Sequence, residues 1–264
     1  MSSLGDVGLF MLDMDGTFYL GRQLLPGAAE FLGLCRQKGI QFTFVTNNSS
    51  KSPADYLQKL AGMGVEVSRD EMLTSADATL LYMEEQALPR DILLVGTPSL
   101  ERQFTEAGYT LAAAVQAAKA VVLGFDTTLS YEKLTKLCNA VRAGLPYIAT
   151  HPDFNCPVEG GYIPDIGAVI AFVQAATGRQ PDEIIGKPNA AIARAAARRF
   201  GLPLQKLCMV GDRLYTDIAL GSCGVQTALV LSGESTRADA ANSPHKPDYI
   251  FENLAELAAA LQNI

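Results

Sequence analysis

Short apolar runs recur along this chain, and each ends on a polar residue instead of alternating with polar ones. Leu9-Phe10-Met11-Leu12 runs into Asp13, Phe42-Thr43-Phe44-Val45 into Thr46, and Leu207-Cys208-Met209-Val210 into Gly211-Asp212. Runs without a polar face are the mark of strands covered on both sides, as in parallel sheets. Helix signals lie between them. Pro26-Gly27 opens a helix through Lys38 that Gly39 ends, and Ser52-Pro53 starts another, with serine as cap and proline in the first turn. Such alternation predicts βαβ units, a parallel sheet and right-handed crossovers.

A second alternating set occupies the chain from Thr74 to Pro181. Its predicted strands are Ile92–Val95, Ala120–Gly124 and Tyr147–Thr150, and its predicted helices are Pro98–Ala107, Tyr131–Arg142 and Asp165–Thr177. At roughly a hundred residues this insert is too long for a loop and large enough for its own core. The chain then returns to the first sheet through Lys187, Asp212, strands at Thr227–Leu231 and Tyr249–Phe251, and a C-terminal helix. The crossings near Thr74–Ala76 and Pro181–Ile184 are expected to act as hinges.

The polar residues at the strand ends carry the candidate chemistry. Asp13 and Asp15, one residue apart at the end of a buried strand, crowd like charges in a way that is costly without a cation. Gly16-Thr17 then turns the chain and offers an amide and a hydroxyl to an anion. A magnesium ion holding an aspartate against a phosphate, with the aspartate as nucleophile, would use this arrangement. Three more clusters follow apolar runs: Thr46-Asn47-Asn48, Lys187-Pro188 after Ile184-Ile185, and Gly211-Asp212 with Asp217 shortly after. Ligand sites in open parallel sheets lie beyond the carboxyl ends of the strands, so all four clusters are expected in one crevice.

Asp13-Met14-Asp15-Gly16-Thr17, Thr46-Asn47-Asn48, Gly186-Lys187-Pro188 and Gly211-Asp212-Arg213-Leu214 with Thr216-Asp217-Ile218 resemble the four ordered motifs of the haloacid dehalogenase superfamily. Within it the chain is similar to the NagD-type phosphatases, whose large cap is inserted between the second and third motifs. The resemblance implies an α/β fold: a Rossmann-like doubly wound parallel core over residues 1–75 and 184–264, and an inserted α/β cap over 76–183. It implies a phosphatase that acts on small-molecule phosphate monoesters, such as sugar phosphates or nucleoside monophosphates, with Mg²⁺ and an aspartyl-phosphate intermediate. Asp13 would be the nucleophile and Asp15 the acid and base. Thr46 and the amides of Asn47 and Asn48 would bind the phosphoryl oxygens, with Lys187 balancing their charge. Asp13, the Asp15 carbonyl and Asp212 would hold the metal, and Asp217 would orient Asp212 or a water, or coordinate directly. The loop His151–Pro164 would reach over the site and select the leaving group, with Asp153, Asn155 and Cys156 as candidate contacts. One departure stands out: Tyr215 occupies a position that is often acidic in this branch.

Other features exclude competing classes. The formal charge is −7, and the one basic cluster, Arg194, Arg198 and Arg199, reads as a solvated helix face, which argues against a nucleic-acid polymer as partner. No apolar stretch reaches the ~18 residues of a membrane span, and no basic segment precedes the first apolar run, so a soluble, cytoplasmic chain is expected. The five cysteines, odd in number and without a C-x-x-C pair, read as core thiols in a reducing compartment, Cys156 excepted. His151 and His245 have no ligand partner at zinc-site spacing. No G-x-x-x-x-G-K-[ST] loop is present. Haloacid dehalogenation would leave Asp15, Asp212 and Asp217 without a role. The alternative from another class, a non-catalytic phospho-ligand sensor on the same fold, should have lost a motif residue, and none of Asp13, Asp15, Lys187 or Asp212 is missing. The oligomeric state stays open, a homodimer included.

Overall fold

The computed structural model describes residues 3–158 and 160–263. The chain forms two compact units. One holds the chain through Thr46, then Pro53–Leu73 and everything from Lys187 onward; the other holds Asn47–Ser52 and Thr74–Gly186.

The first unit is built on a six-stranded sheet in the order Met72–Thr74, Gln41–Thr46, Leu9–Leu12, Leu207–Gly211, Gln226–Val230, Tyr249–Phe251. In chain order this is third, second, first, fourth, fifth, sixth, the doubly wound arrangement of Rossmann-like folds, with its reversal beside Leu9–Leu12. That strand is buried along its whole length and runs parallel to both neighbours, Leu12 lying level with Phe44 on one side and Val210 on the other. Phe10 meets the ring of Phe31 edge-on at 5.1 Å, and Phe18 meets Phe44 at 4.7 Å, joining sheet to helix and the turn after Asp15 to a neighbouring strand. The helix Ala28–Lys38 ends at Gly39, whose left-handed conformation lets its amide reach the Cys35 and Arg36 carbonyls. The last helix, Leu254–Gln262, is capped by Asn253, which accepts from the amides of Ala255 and Glu256.

The second unit has its own five-stranded parallel sheet, ordered Glu183–Ile184, Tyr147–Ala149, Ala120–Leu123, Asp91–Val95, Thr110–Leu111. Helices Ser75–Glu85, Pro98–Glu106, Tyr131–Arg142 and Ile166–Thr177 are capped by Thr74, Thr97, Ser130 and Asp165. The helix Ser75–Glu85 is absent from the sequence reading, although its signal is there: Thr74 and Asp77 form a reciprocal capping box. Within the loop His151–Pro164, Asn155–Val158 and Gly161–Pro164 pair as an antiparallel hairpin.

Two expectations are corrected. Ile184 does not return the chain to the first sheet; Glu183–Ile184 pairs with Tyr147–Ala149 as the edge strand of the second. Lys187 therefore does not follow a strand of the first sheet, unlike Asp13, Thr46 and Asp212. An apolar pair at an insert boundary satisfies either sheet equally well, so periodicity could not assign it. Asn47–Ser52 also joins the second unit. Ser49 accepts from the Phe125 amide and bonds Thr150, Ser75 donates to the Asn47 carbonyl, and Thr97 donates to the Ser50 carbonyl.

Phe44 is fully buried. Replacing it with alanine is expected to cost about 3–5 kcal/mol, read as a lower urea midpoint for unfolding of the first unit. A midpoint shift under 1 kcal/mol equivalent, roughly the effect of a surface change, would contradict this packing.

Candidate active site

The register of the first sheet brings the first-unit residues together. Asp13 follows Leu12, and its amide donates to the Val210 carbonyl at 2.9 Å, so it leaves the sheet level with Gly211. Asp212 leaves the adjacent strand and Thr46 the strand on the other side. These are the carboxyl ends of three neighbouring parallel strands at the point where strand order reverses.

Lys187 is the centre of this group. Its Nζ lies 2.5 Å from Asp13 Oδ1 and 2.7 Å from Asp217 Oδ1, with the Val45 carbonyl at 3.4 Å. It is 3% exposed, Asp212 2% and Asp217 0%, so these charges are almost wholly removed from water. Asp217 also accepts the Arg213 amide at 3.1 Å. Asp212 accepts the Glu234 amide at 2.8 Å and the Thr17 hydroxyl at 3.3 Å. Glycine makes this packing feasible. A Cβ on Gly211 would overlap the Asp217 carboxylate, and one on Gly16 or Gly233 would overlap that of Asp212. Gly16 also adopts φ +86°, which favours glycine.

Burial governs the electrostatics. It pushes the Asp212 carboxyl above its ordinary range, and the charges of Asp13 and Asp217 push it further. Burial likewise raises Asp217, opposed by Lys187 and reinforced by Asp13. Burial works against the Lys187 charge, but Asp13 and Asp217 outweigh it and hold the ammonium above its usual value. Oxygens of Asp13, Asp212 and Asp217 lie within 4.8 Å of one another. Three carboxylates with one ammonium among them leave negative charge in a buried space, and an all-oxygen donor set of this kind suits a hard divalent cation.

Asp15 stands nearer solvent, its side chain 58% exposed. Tyr19 donates its hydroxyl to Oδ2 at 3.2 Å, and Lys59 lies 3.8 Å from Oδ1, with its ammonium 3.7 Å from the centre of the Tyr19 ring. Partial loss of hydration raises the Asp15 carboxyl; Lys59 opposes the shift and Asp13 adds to it. Sequence reasoning missed Tyr19, Lys59 and Glu234. Tyr19 sits within the first turn after the motif and was within reach of inspection; Lys59 on a helix and Glu234 past a later strand carry no local signal. Tyr215 is exposed and donates to Glu234 at 3.2 Å; Glu234 also pairs with Arg213 at 3.0 Å and sends its amide to Asp212.

The remaining predicted residues belong to the second unit. Asn47 donates its side-chain amide to both oxygens of Asp153, at 3.1 and 3.2 Å. Asn48 accepts from the Ser50 amide and hydroxyl, and its Nδ2 lies 4.0 Å from Cys156 Sγ. Asn155 is exposed. His151, read as partnerless, is buried between Thr150 and Asp165, with Asp153 also close. That cluster spans fifteen residues of chain and matches no zinc-like spacing. Cys35, Cys138 and Cys208 are buried free thiols, while Cys156 and Cys223 are partly exposed.

A doubly wound α/β core, an inserted α/β unit and a carboxylate cluster braced by a buried lysine fit a hydrolase of the phosphoryl-transfer kind. Family models described as haloacid dehalogenase-like hydrolase and HAD-hydrolase-like match residues 10–110 and 184–257. The acid sugar phosphatase of Staphylococcus aureus strain MRSA252 is 37% identical over 254 residues, covering 96% of this chain and 97% of the relative. The solved 4-nitrophenylphosphatase of Thermotoga maritima superposes with TM-score 0.94 at 46% identity, covering 98% of this chain and 99% of that one. NagD from Escherichia coli K-12 superposes with TM-score 0.87 at 31% identity, over 95% and 98%. The chain belongs to the haloacid dehalogenase-like hydrolases, as a NagD-type phosphatase. No helix among the described residues is long and apolar enough to cross a membrane.

A raised native-state pKa stabilises the fold only while the carboxyl is protonated. The contribution of Asp212 and Asp217 is complete below the ordinary aspartate value of 3.8 and is lost as pH rises through their raised native values. In chelator, Asp212→Asn should therefore stabilise the protein at pH 8 by about 1–3 kcal/mol and do little at pH 4.5. Thermal unfolding at the two pH values checks this; an equal effect at both would remove Asp212 as the buried charge.

Proposed function

We propose that this phosphatase hydrolyses small-molecule phosphate monoesters, sugar phosphates among them, with Mg²⁺ and through an aspartyl-phosphate on Asp13. The observation that carries the reading is the buried Lys187 between Asp13 and Asp217, with Asp212 alongside. Lys187 engages Oδ1 of Asp13, which leaves Oδ2 to attack phosphorus in line and displace the alcohol. The same ammonium offsets the charge that a phosphate brings beside three carboxylates. Asp15, whose pKa desolvation shifts upward, is the proposed proton donor to the leaving alcohol. As a carboxylate it then takes a proton from the water that attacks the phosphorus of the acyl phosphate and frees Asp13. Tyr19 and Lys59 orient that carboxyl.

Asp13, Asp212 and the Asp15 carbonyl are the proposed magnesium ligands, with Asp217, fixed by Lys187 and the Arg213 amide, orienting the set. Bound Mg²⁺ would supply Lewis-acid polarisation and neutralise phosphate charge. Thr46 and, directly after it in the chain, the amides of Asn47 and Asn48 are the proposed phosphoryl binders. In this reading the first unit carries the catalytic carboxylates and Lys187, and the second carries the phosphoryl-binding amides after Thr46 and the selection of substrates. Within the latter, the hairpin around Phe154 and Tyr162, 62% and 75% exposed, is the proposed discriminator of leaving groups. The acid sugar phosphatase relative supports sugar phosphates as substrates. The free thiols support a cytoplasmic location.

Chelation is expected to stop turnover, and Mg²⁺ to restore it; full rate in excess chelator would defeat the metal assignment. Asp13→Asn should abolish hydrolysis of every ester without changing the unfolding curve by more than about 1 kcal/mol. Asp15→Asn should slow steady-state turnover about 10²–10⁴-fold. With 4-nitrophenyl phosphate, whose leaving group needs no proton, it should still release a stoichiometric burst of nitrophenolate in rapid-mixing experiments. A slow, burst-free reaction would place Asp15 in the first step alone.

A further inference from the structure

We infer that Asp153 is a positioning residue for the phosphoryl-binding turn, and that a buried hydrogen-bond chain through Ser49, Thr150, His151 and Asp165 holds that turn in one conformation. The inference rests on the reading that the amides after Thr46 bind the phosphoryl group.

The links have one consistent polarity. The Phe125 amide donates to Ser49 Oγ at 2.8 Å. Ser49 and Thr150 hydroxyls are 2.9 Å apart, Thr150 Oγ1 is 3.1 Å from His151 Nδ1, and His151 Nε2 is 2.9 Å from Asp165 Oδ1. In the Nε2–H tautomer the imidazole would donate to the Asp165 carboxylate and leave Nδ1 to accept from Thr150. Thr150 then accepts from Ser49, and Ser49 from the backbone. With this tautomer both hydroxyls and both ring nitrogens are satisfied away from water. Asp165 also accepts the Ile166 amide at 2.6 Å and so ties the chain to the start of a helix.

Asp153 is anchored by that same helix start. The Gly167 amide donates to the Asp153 carbonyl at 2.8 Å and the Asp165 amide to the Phe154 carbonyl at 2.9 Å. A Cβ on Gly167 would lie 2.8 Å from the Asp153 carbonyl oxygen and overlap that of Pro152, so only glycine allows the approach. From this anchor both Asp153 oxygens hold the Asn47 amide. The other end of Asn47 abuts Gly186, where a Cβ would stand 2.6 Å from Asn47 Oδ1 and 2.6 Å from His151 Cβ. Asn47 is thereby gripped at both ends, and Ser49 pins the turn two residues on. Both Asp153 oxygens are directed to the Asn47 amide, the contact that a positioning role requires. A turn that presents amides to a transferring phosphoryl group loses rate steeply with small displacements, since misplacement by about 1 Å costs on the order of 10²-fold.

The test uses the full-length Mg²⁺-loaded enzyme, with a sugar phosphate, a nucleoside monophosphate and 4-nitrophenyl phosphate as substrates and inorganic phosphate as inhibitor. Asp153→Ala and Thr150→Val should each lower kcat/KM about 10–100-fold, by the same factor for all three esters to within threefold. The inhibition constant for phosphate should weaken in parallel. Asp153→Asn, which keeps a carbonyl acceptor for Asn47, and Thr150→Ser, which keeps the hydroxyl, should recover most of the loss, and both serve if a larger change prevents folding. Ser49→Ala with Thr150→Val should cost less than the two single losses added together. Losses that differ between esters would make Asp153 a leaving-group contact and overturn the inference. Unchanged kinetics with a lower unfolding temperature would reduce the chain to a folding element and overturn it equally. A wild-type enzyme that neither turns over an ester nor binds phosphate would instead defeat the phosphatase reading itself.

Discussion

One buried ammonium sets the terms for the rest of the first unit. Lys187 pairs with Asp13, 174 residues earlier, and with Asp217, 30 residues later, and it does so almost without water. Desolvating three such charges is expensive, and their mutual attraction repays the cost only in good geometry with the remaining oxygens satisfied. The sheet supplies that geometry. Reversal of strand order beside Leu9–Leu12 opens a gap at the carboxyl ends, and the strands on either side deliver Asp13 and Asp212 to its rim. The amides of Arg213 and Glu234 then take the oxygens that Lys187 does not.

The price of this arrangement is a site whose carboxylates resist ionisation. Burial raises Asp212 and Asp217 even with a lysine present, so the metal-free site is electrostatically incomplete. A divalent cation at this cluster would remove the conflict, and the same negative field would hold the ion. Catalytic competence and local instability share one origin here, as expected where function needs charges gathered out of water. The glycines at positions 16, 211 and 233 belong to the same economy of space, for each admits a carboxylate where any side chain would displace it.

Polar groups in the second unit are buried for a different purpose. Ser49, Thr150, His151 and Asp165 bond one another, and Ser49 lies in the short segment that follows Thr46. A fully satisfied buried network rigidifies its surroundings, whereas a partly satisfied one is a liability. In the proposed reading, the buried network serves a part that is the same for every phosphate ester, while the exposed Phe154 and Tyr162 belong to a part free to differ between them.

The sequence alone determined five of the six strands of the first sheet and the three central strands of the second, most helices, the existence of an insert and the identity of the acidic residues at the strand ends. These are local properties: an unbroken apolar run means a strand covered on both faces, and the residue that ends it marks the sheet's edge wherever the strand lies. Asp13, Thr46 and Asp212 were legible for that reason. Tertiary structure decided what local pattern could not: that Glu183–Ile184 pairs in the second sheet, that Asn47–Ser52 packs with the inserted unit, that Lys59 and Tyr19 address Asp15, and that His151 finds Asp165. Each depends on side chains or strand edges meeting across many residues of chain, and neither hydrophobic periodicity nor motif spacing carries information about which distant partner will be there.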